Sequence, residues 1–405
     1  GTLDLDHVTV HALEGNALEL VCGTITIEDG EYTSDVGHAM EGYPENYDAI
    51  DLTITGGTYK SISTDYAVAA LGCYGTKGPK RSNIKINGSK FVGGQLLWFH
   101  GEGAETLTID ENTTLQSIGG TLDAVVVGHG QLFFNSGTID ISGGSERSAL
   151  RIVERGEAIV NDGTFKGAKY DIYERNNDSR VSPCRVQLNN ATFDDTVCNV
   201  YLQKNRQIDV AQNYTGQVTI ECADPSDGRQ LTKDTETNYQ KDLNLTSANA
   251  GYLVGYRKTT DGKKEYRCLS KEVGVTIEGL EDAVIKEGES KDFTVKVDPK
   301  DDAKLGEAFI DFGDKNGEIE YKDKESGEYK PMPEGGLKIG LGDGEVEHEF
   351  RITPKETGKQ TLTAAVKQGE NKLATDEKDF VVSEMPILTL KDGVITSVTV
   401  PGKNG

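Results

Sequence analysis

The chain has 405 residues, a formal net charge of −24, a mean hydropathy of −0.50, 48 glycines and 35% apolar residues. So acidic a surface has the wrong sign for nucleic acid phosphates and anionic membranes, and no run of about 18 apolar residues is present to cross a bilayer. The length allows two or three domains at roughly 100–200 residues each, and the hydrophilic, glycine-rich composition suits stacked repeats with thin cores.

The chain opens with neither an initiator Met nor a signal-peptide pattern, so a mature or excised piece is expected. Its cysteines, Cys22, Cys73, Cys184, Cys198, Cys222 and Cys268, all precede residue 269. None forms the C-x-x-C spacing of zinc or redox sites. Buried thiols filling the repeats are expected, with Cys222 and Cys268 the pair to test for a bridge.

In chain order, one phrase recurs: an apolar-alternating strand, a polar turn, then a small polar residue followed by an aromatic or aliphatic one. It reads TITIEDGEYTS from Thr24, LTITGGTYKSI from Leu52, IKINGSKFVGG from Ile84 and LTIDENTTLQS from Leu107. It continues as LFFNSGTIDIS from Leu132, AIVNDGTFKGA from Ala158 and VQLNNATFDDT from Val186. The anchors Tyr32, Tyr59, Phe91, Leu115, Ile139, Phe165 and Phe193 are separated by 27, 32, 24, 24, 26 and 28 residues. Alternation at period two marks strands. Phrases too short to bury a face alone must stack on their neighbours, and seven coils of a right-handed parallel β-helix are predicted before about residue 216.

A second strand follows most anchors: YAVAALG from Tyr66, LLWFHG from Leu96, AVVVGHG from Ala124, ALRIVERG from Ala149, YDIYERN from Tyr170 and NVYLQKN from Asn199. Longer gaps after Tyr32 and Tyr59 (GYPENYDAID and GCYGTKGPKRSN) predict loops that decorate the amino-terminal end and could overhang the Trp98 face. Residues 217–271 read as an end piece covering the open stack. Residues 272–405 then carry a net charge of −12 in 134 residues, as much as the preceding 271 carry in twice the length. Their short alternating strands (VGVTIEGL, DFTVKVDP, AFIDFGD, EIEYKD, HEFRITP, QTLTAAVKQ, KDFVVSE) predict an immunoglobulin-like β-sandwich over 272–384. Residues 385–405 read as a linker or the start of a following module.

The repeat phrases and the end piece resemble the extracellular β-helix modules of large surface proteins from gut Gram-positive bacteria. The GTF coil at Phe165 and the string DPSDGRQL at residues 224–231 carry most of that likeness. Residues 272–384, above all FRITPKETGKQTLTAAV from Phe350, are similar to the immunoglobulin-like modules of such proteins. The resemblance covers nearly the whole chain and implies a secreted or cell-wall-attached multidomain protein.

Chemistry is sparse. Glycoside hydrolysis needs two carboxylates flanking a bond, and in the second-strand ladder Glu154 and Glu174 lie on neighbouring coils, followed by Arg155 and Arg175. Cross-coil salt bridges between these glutamates and arginines at the strand ends are the plainer reading. The string Gly128-His129-Gly130 resembles the Gly-His-Gly of polygalacturonase-like hydrolases, but the acid motifs that should precede it are absent. Asp311, Asp314, Asn316 and Glu318 lack calcium-loop spacing and read as an acidic turn.

Alternation in the second strand points Leu97, Phe99, Val125, Leu150, Ile152, Ile172 and Val200 into the core. It leaves Trp98, Val126, Arg151, Tyr173 and Tyr201 as an outward ladder about 20 Å long at the strand spacing, bordered by His100, His129, Arg155 and Arg175. Rings and Arg in one stripe suit protein or sugar recognition. A non-catalytic surface adhesin is therefore expected to bind through Trp98, His100, Arg151, Tyr173 and Tyr201, with the sandwich as spacer. A lyase or hydrolase acting on an acidic polysaccharide, and a structural stalk, are the alternatives. No cofactor or metal is expected, the chain is expected to be monomeric, and the expected partner is a host extracellular protein or glycan such as mucin, immunoglobulin or matrix.

Overall fold

Each alternating phrase is a strand that cannot bury its face by itself, and each finds its partner one coil earlier and one coil later. The computed structural model describes residues 1–42, 49–72, 81–101, 104–141, 147–167, 169–175, 182, 184–193, 198–236, 243–270, 273–299, 308–313, 317–339, 345–368, 371–384, 387–391 and 393–399. It divides into two units, residues 1–249 with 258–268, and residues 250–257 with 269–405. Among the described residues the chain is all-β, without helices, so no helix is long and apolar enough to cross a membrane.

The first unit is a parallel β-solenoid of about eight turns. Three sheets run along it. The first has nine strands, from Thr2–Leu5 to Gln207–Val210, the second has eight, from Val8–Ala12 to Thr192–Phe193, and the third has ten, from Leu18–Glu19 to Asn244–Ser247. The anchors form one continuous row of the second sheet: Tyr32 pairs with Tyr59, Tyr59 with Phe91, Phe91 with Leu115, Leu115 with Ile139, Ile139 with Phe165 and Phe165 with Phe193. Their rings stack inside the coil, at 5.2 Å for Tyr32 on Tyr59 and 4.8 Å for Tyr59 on Phe91.

Seven predicted coils become about eight turns because the first turn has no aromatic anchor. Val10 takes the anchor position there and pairs with Tyr32, and a lone branched aliphatic in VTVHA carries no repeat signature. At the other end, strands Gln217–Cys222 and Asn244–Ser247 continue the third sheet in parallel. The insertions at residues 43–48 and 73–80, with Cys73, lie outside the described residues. Cys22 is exposed, while Cys198 and Cys222 are buried free thiols, so Cys222 is not bridged to Cys268.

Polar side chains close the corners. Between the first and second sheets, Asn189 Nδ2 donates to Asn161 Oδ1 (2.6 Å), Asn161 Nδ2 to Asn135 Oδ1 (2.7 Å) and Asn135 Nδ2 to Asp110 Oδ1 (2.7 Å). Between the second and third sheets, Ser34, Ser61 and Ser117 turn inward and donate to the carbonyls of Gly15, Gly37 and Gly94. Buried turns leave backbone groups that need such partners.

The second unit contains two five-stranded sheets. One orders Val273–Glu278, Lys291–Pro299, Val346–Pro354, Gly317–Lys322 and Tyr329–Pro331, all antiparallel. The other orders Val284–Lys286, Asn371–Ser383, Gly358–Gln368, Ala308–Phe312 and Leu337–Ile339, and only its first pairing is parallel. Ile277, Val295, Phe293 and Phe350 from one sheet join Ile310, Phe312, Val366 and Phe380 from the other in a single core. A further hairpin pairs Ile387–Lys391 with Val394–Thr399.

Candidate binding face

The third sheet has the longest strands of the solenoid, up to six residues, as in Gln95–His100, Ser148–Val153 and Tyr170–Arg175. Length matters because it leaves room for an outward row flanked on both sides. Leu97, Phe99, Val125, Leu150, Ile152, Ile172 and Val200 all face the core and are buried. Trp98 pairs with Val126, Val126 with Arg151, Arg151 with Tyr173 and Tyr173 with Tyr201, so the five fall in one register row. The row continues to Ala70 and Glu41 on one side and to Glu221 on the other.

The row is not uniform. Trp98 is 37% exposed and is its one exposed large hydrophobic side chain. Arg151 is held by Asp123, with Nη1 2.6 Å from Oδ2, and its guanidinium lies 5.8 Å from the Tyr173 ring centre. Tyr173 and Tyr201 meet edge to face at 4.9 Å, and Tyr170 packs on Tyr201 at 4.8 Å. The Tyr170 hydroxyl hydrogen-bonds to the Glu221 carboxylate, and burial raises the pKa of both groups. Lys169 opposes that rise at Glu221. The amino-terminal part of the row is thus open and apolar, while the carboxy-terminal part is a packed knot of three tyrosines.

His100, two residues beyond Trp98, borders the row, and its ring lies 6.1 Å from the indole. His100 pairs with Gly128, which pairs with Val153, so His129 and Glu154 occupy the same corner position on the next two coils. His100 Nε2 is 2.8 Å and His129 Nε2 is 2.7 Å from Glu154 Oε2. The two imidazoles stack at 4.9 Å. Sequence reading placed both histidines beside the face but did not join them to Glu154. The available signal was their spacing of 29 and 25 residues, one coil each.

Glu154 and Glu174 do not form a pair. The register matches Ile152 with Glu174 and Val153 with Arg175, which puts Glu174 on the inward row. Its side chain is 0% exposed and lies 2.7 Å from Arg185 Nη2 and 3.6 Å from Arg206 Nε. The two carboxylates therefore do not flank one surface bond, and the arginines that bridge Glu174 come from following coils, not from the strand end. Of the acidic turn, Asp311 pairs with Lys367 at 2.5 Å, whereas Asp314 and Asn316 lie outside the described residues.

No family model matches the chain, and no curated protein matches it. Its function must be read from its own residues, since many functions share one fold.

Proposed function

We propose that the chain is a non-catalytic binding protein of the bacterial surface, a secreted or wall-attached adhesin that recognises a host extracellular protein or glycan through the outer face of the third sheet. The observation that carries this reading is the single register row Trp98–Val126–Arg151–Tyr173–Tyr201, with an exposed indole at one end. A rigid sheet offers such a row without reorganisation, and aromatic rings beside an Arg supply stacking and forked hydrogen bonding together. The coil is taken as right-handed, the hand of nearly all parallel crossovers.

The antiparallel unit is taken as an immunoglobulin-like spacer. Lettered A to G in chain order, its seven longer strands run A-B-E-D in one sheet and G-F-C in the other, the pairing of that sandwich. The resemblance to surface proteins of gut Gram-positive bacteria points the same way.

The test is capture from mucus and serum by the full chain, followed by glycan and protein arrays. Trp98→Ala with Tyr173→Ala is expected to abolish capture while the circular dichroism stays unchanged. Equal capture by the double variant rejects this face as the recognition surface, and no capture by the wild type rejects the binding reading and leaves a structural stalk.

A further inference from the structure

His100, His129 and Glu154 converge from three successive coils, and their three ligand atoms lie within 4.8 Å of one another. We infer that they form a binding site for a divalent transition-metal ion of the zinc class. The inference stands on these three residues and does not rest on the binding face having a macromolecular partner.

The donor set selects the ion. Two imidazoles and one carboxylate are borderline ligands that suit Zn²⁺ and its first-row neighbours, whereas Ca²⁺ and Mg²⁺ require oxygens throughout. Three protein ligands also leave the fourth tetrahedral position to water or to an incoming oxygen. Zinc–ligand bonds of about 2.0–2.2 Å would set the donor atoms roughly 3.3 Å apart. Glu154 Oε2 lies 2.7–2.8 Å from each Nε2, so the carboxylate must retreat by about half an ångström. Its side chain is 53% exposed.

Two features bear on the site. Position 128, opposite His100 on the next coil, is glycine; a Cβ there would stand 2.8 Å from His100 Cδ2 and 3.5 Å from its Nε2. The bare position lets the imidazole lie across the next coil towards His129 and Glu154. His129 and Glu154 themselves hold φ of +50° and +48°, a left-handed corner that glycine makes without strain. Histidine is tolerated in such a corner, but glutamate is uncommon there, and its placement fits a functional constraint on Glu154.

The test is calorimetric titration of the chelator-treated full chain with ZnCl₂, with CoCl₂ in parallel for its visible absorption. One equivalent should bind, with a cobalt spectrum of four-coordinate intensity. His100→Ala and His129→Ala should each weaken Zn²⁺ at least about 100-fold, beyond the 10–100-fold typical of losing an outer partner. Gly128→Ala, which replaces no ligand but crowds the His100 ring, should also weaken it. Excess Ca²⁺ should leave it in place, which separates the site from general attraction to an acidic surface. Binding that survives the His100→Ala/His129→Ala double variant, or that is lost instead in Cys22→Ser, overturns the assignment. So does the absence of stoichiometric binding by the wild type. Circular dichroism of each variant checks that the coil is intact.

Discussion

Arg185 Nη2 donates to Glu174 Oε1 at 2.7 Å inside the wall of the solenoid, where neither side chain is more than 1% exposed. Arg185 Nη1 also donates to the carbonyls of Glu154 and Gly156, the latter at 2.7 Å. The pair thus ties a third-sheet strand to the corner of the preceding coil. Removing one charge of a buried pair leaves the other without compensation, which costs about 3–5 kcal/mol. Glu174→Ala is expected to lower the urea midpoint accordingly, and Glu174→Gln, which keeps an acceptor, to lower it less. Equal midpoints for the wild type and Glu174→Ala would contradict this role.

The asparagine row predicts a graded effect. Asn161 both donates to Asn135 and accepts from Asn189, so Asn161→Ala breaks two links. Leaving a part-buried amide unsatisfied on each side costs about 1–3 kcal/mol. Asn189 donates to Asn161 across the coils and accepts from Gln187 of its own strand, so Asn189→Ala breaks a single link between coils and should cost less. Urea unfolding of both variants, followed by far-ultraviolet circular dichroism, gives the ranking.

How far the sequence discloses this structure depends on which residues carry the repeat. The aromatic anchors were legible because Tyr32 to Phe193 recur at one coil spacing and all point inward. The outward row from Trp98 to Tyr201 was legible for the same reason, since alternation and coil period together set the register. The first turn was not, because Val10 in the anchor position looks like any other valine. Glu174 was misplaced because a buried carboxylate breaks the apolar alternation, and its partners Arg185 and Arg206 arrive 11 and 32 residues later. The convergence of His129 and Glu154 depends on a left-handed corner shared by two coils, for which histidine is a weak sequence signal and glutamate none.

His348 predicts a pH dependence of the antiparallel unit. Burial lowers its pKa from 6.5 to about 4, with the Lys324 charge adding to the shift. The unfolded chain then binds a proton that the folded chain refuses between those values, so stability is full above about pH 6.5 and falls as the pH drops towards 4. The side chain is only partly buried, and solvent screening reduces the effect to the order of 1 kcal/mol. His348→Leu should flatten the acid side of the stability curve relative to the wild type. Parallel curves from pH 7 to 4 would show that the histidine is not the titrating group.

Trp98 and Tyr201 stand in one row but should respond differently to truncation. Trp98, at 37% exposed, stands farther out than Tyr201, so Trp98→Ala should lower the unfolding midpoint less than Tyr201→Ala does, by about 1 kcal/mol at most. Tyr201 packs on Tyr170 and Tyr173 at 4.8 and 4.9 Å, and aromatic pairs add about 0.5–1.5 kcal/mol each beyond the area they bury. Tyr201→Ala is therefore expected to cost roughly 1–3 kcal/mol and to loosen the Tyr170–Glu221 hydrogen bond. Loss of binding in Trp98→Ala at unchanged stability would locate recognition at the open end of the row. A loss seen only in Tyr201→Ala, together with a lower midpoint, would instead report damage to the tyrosine knot.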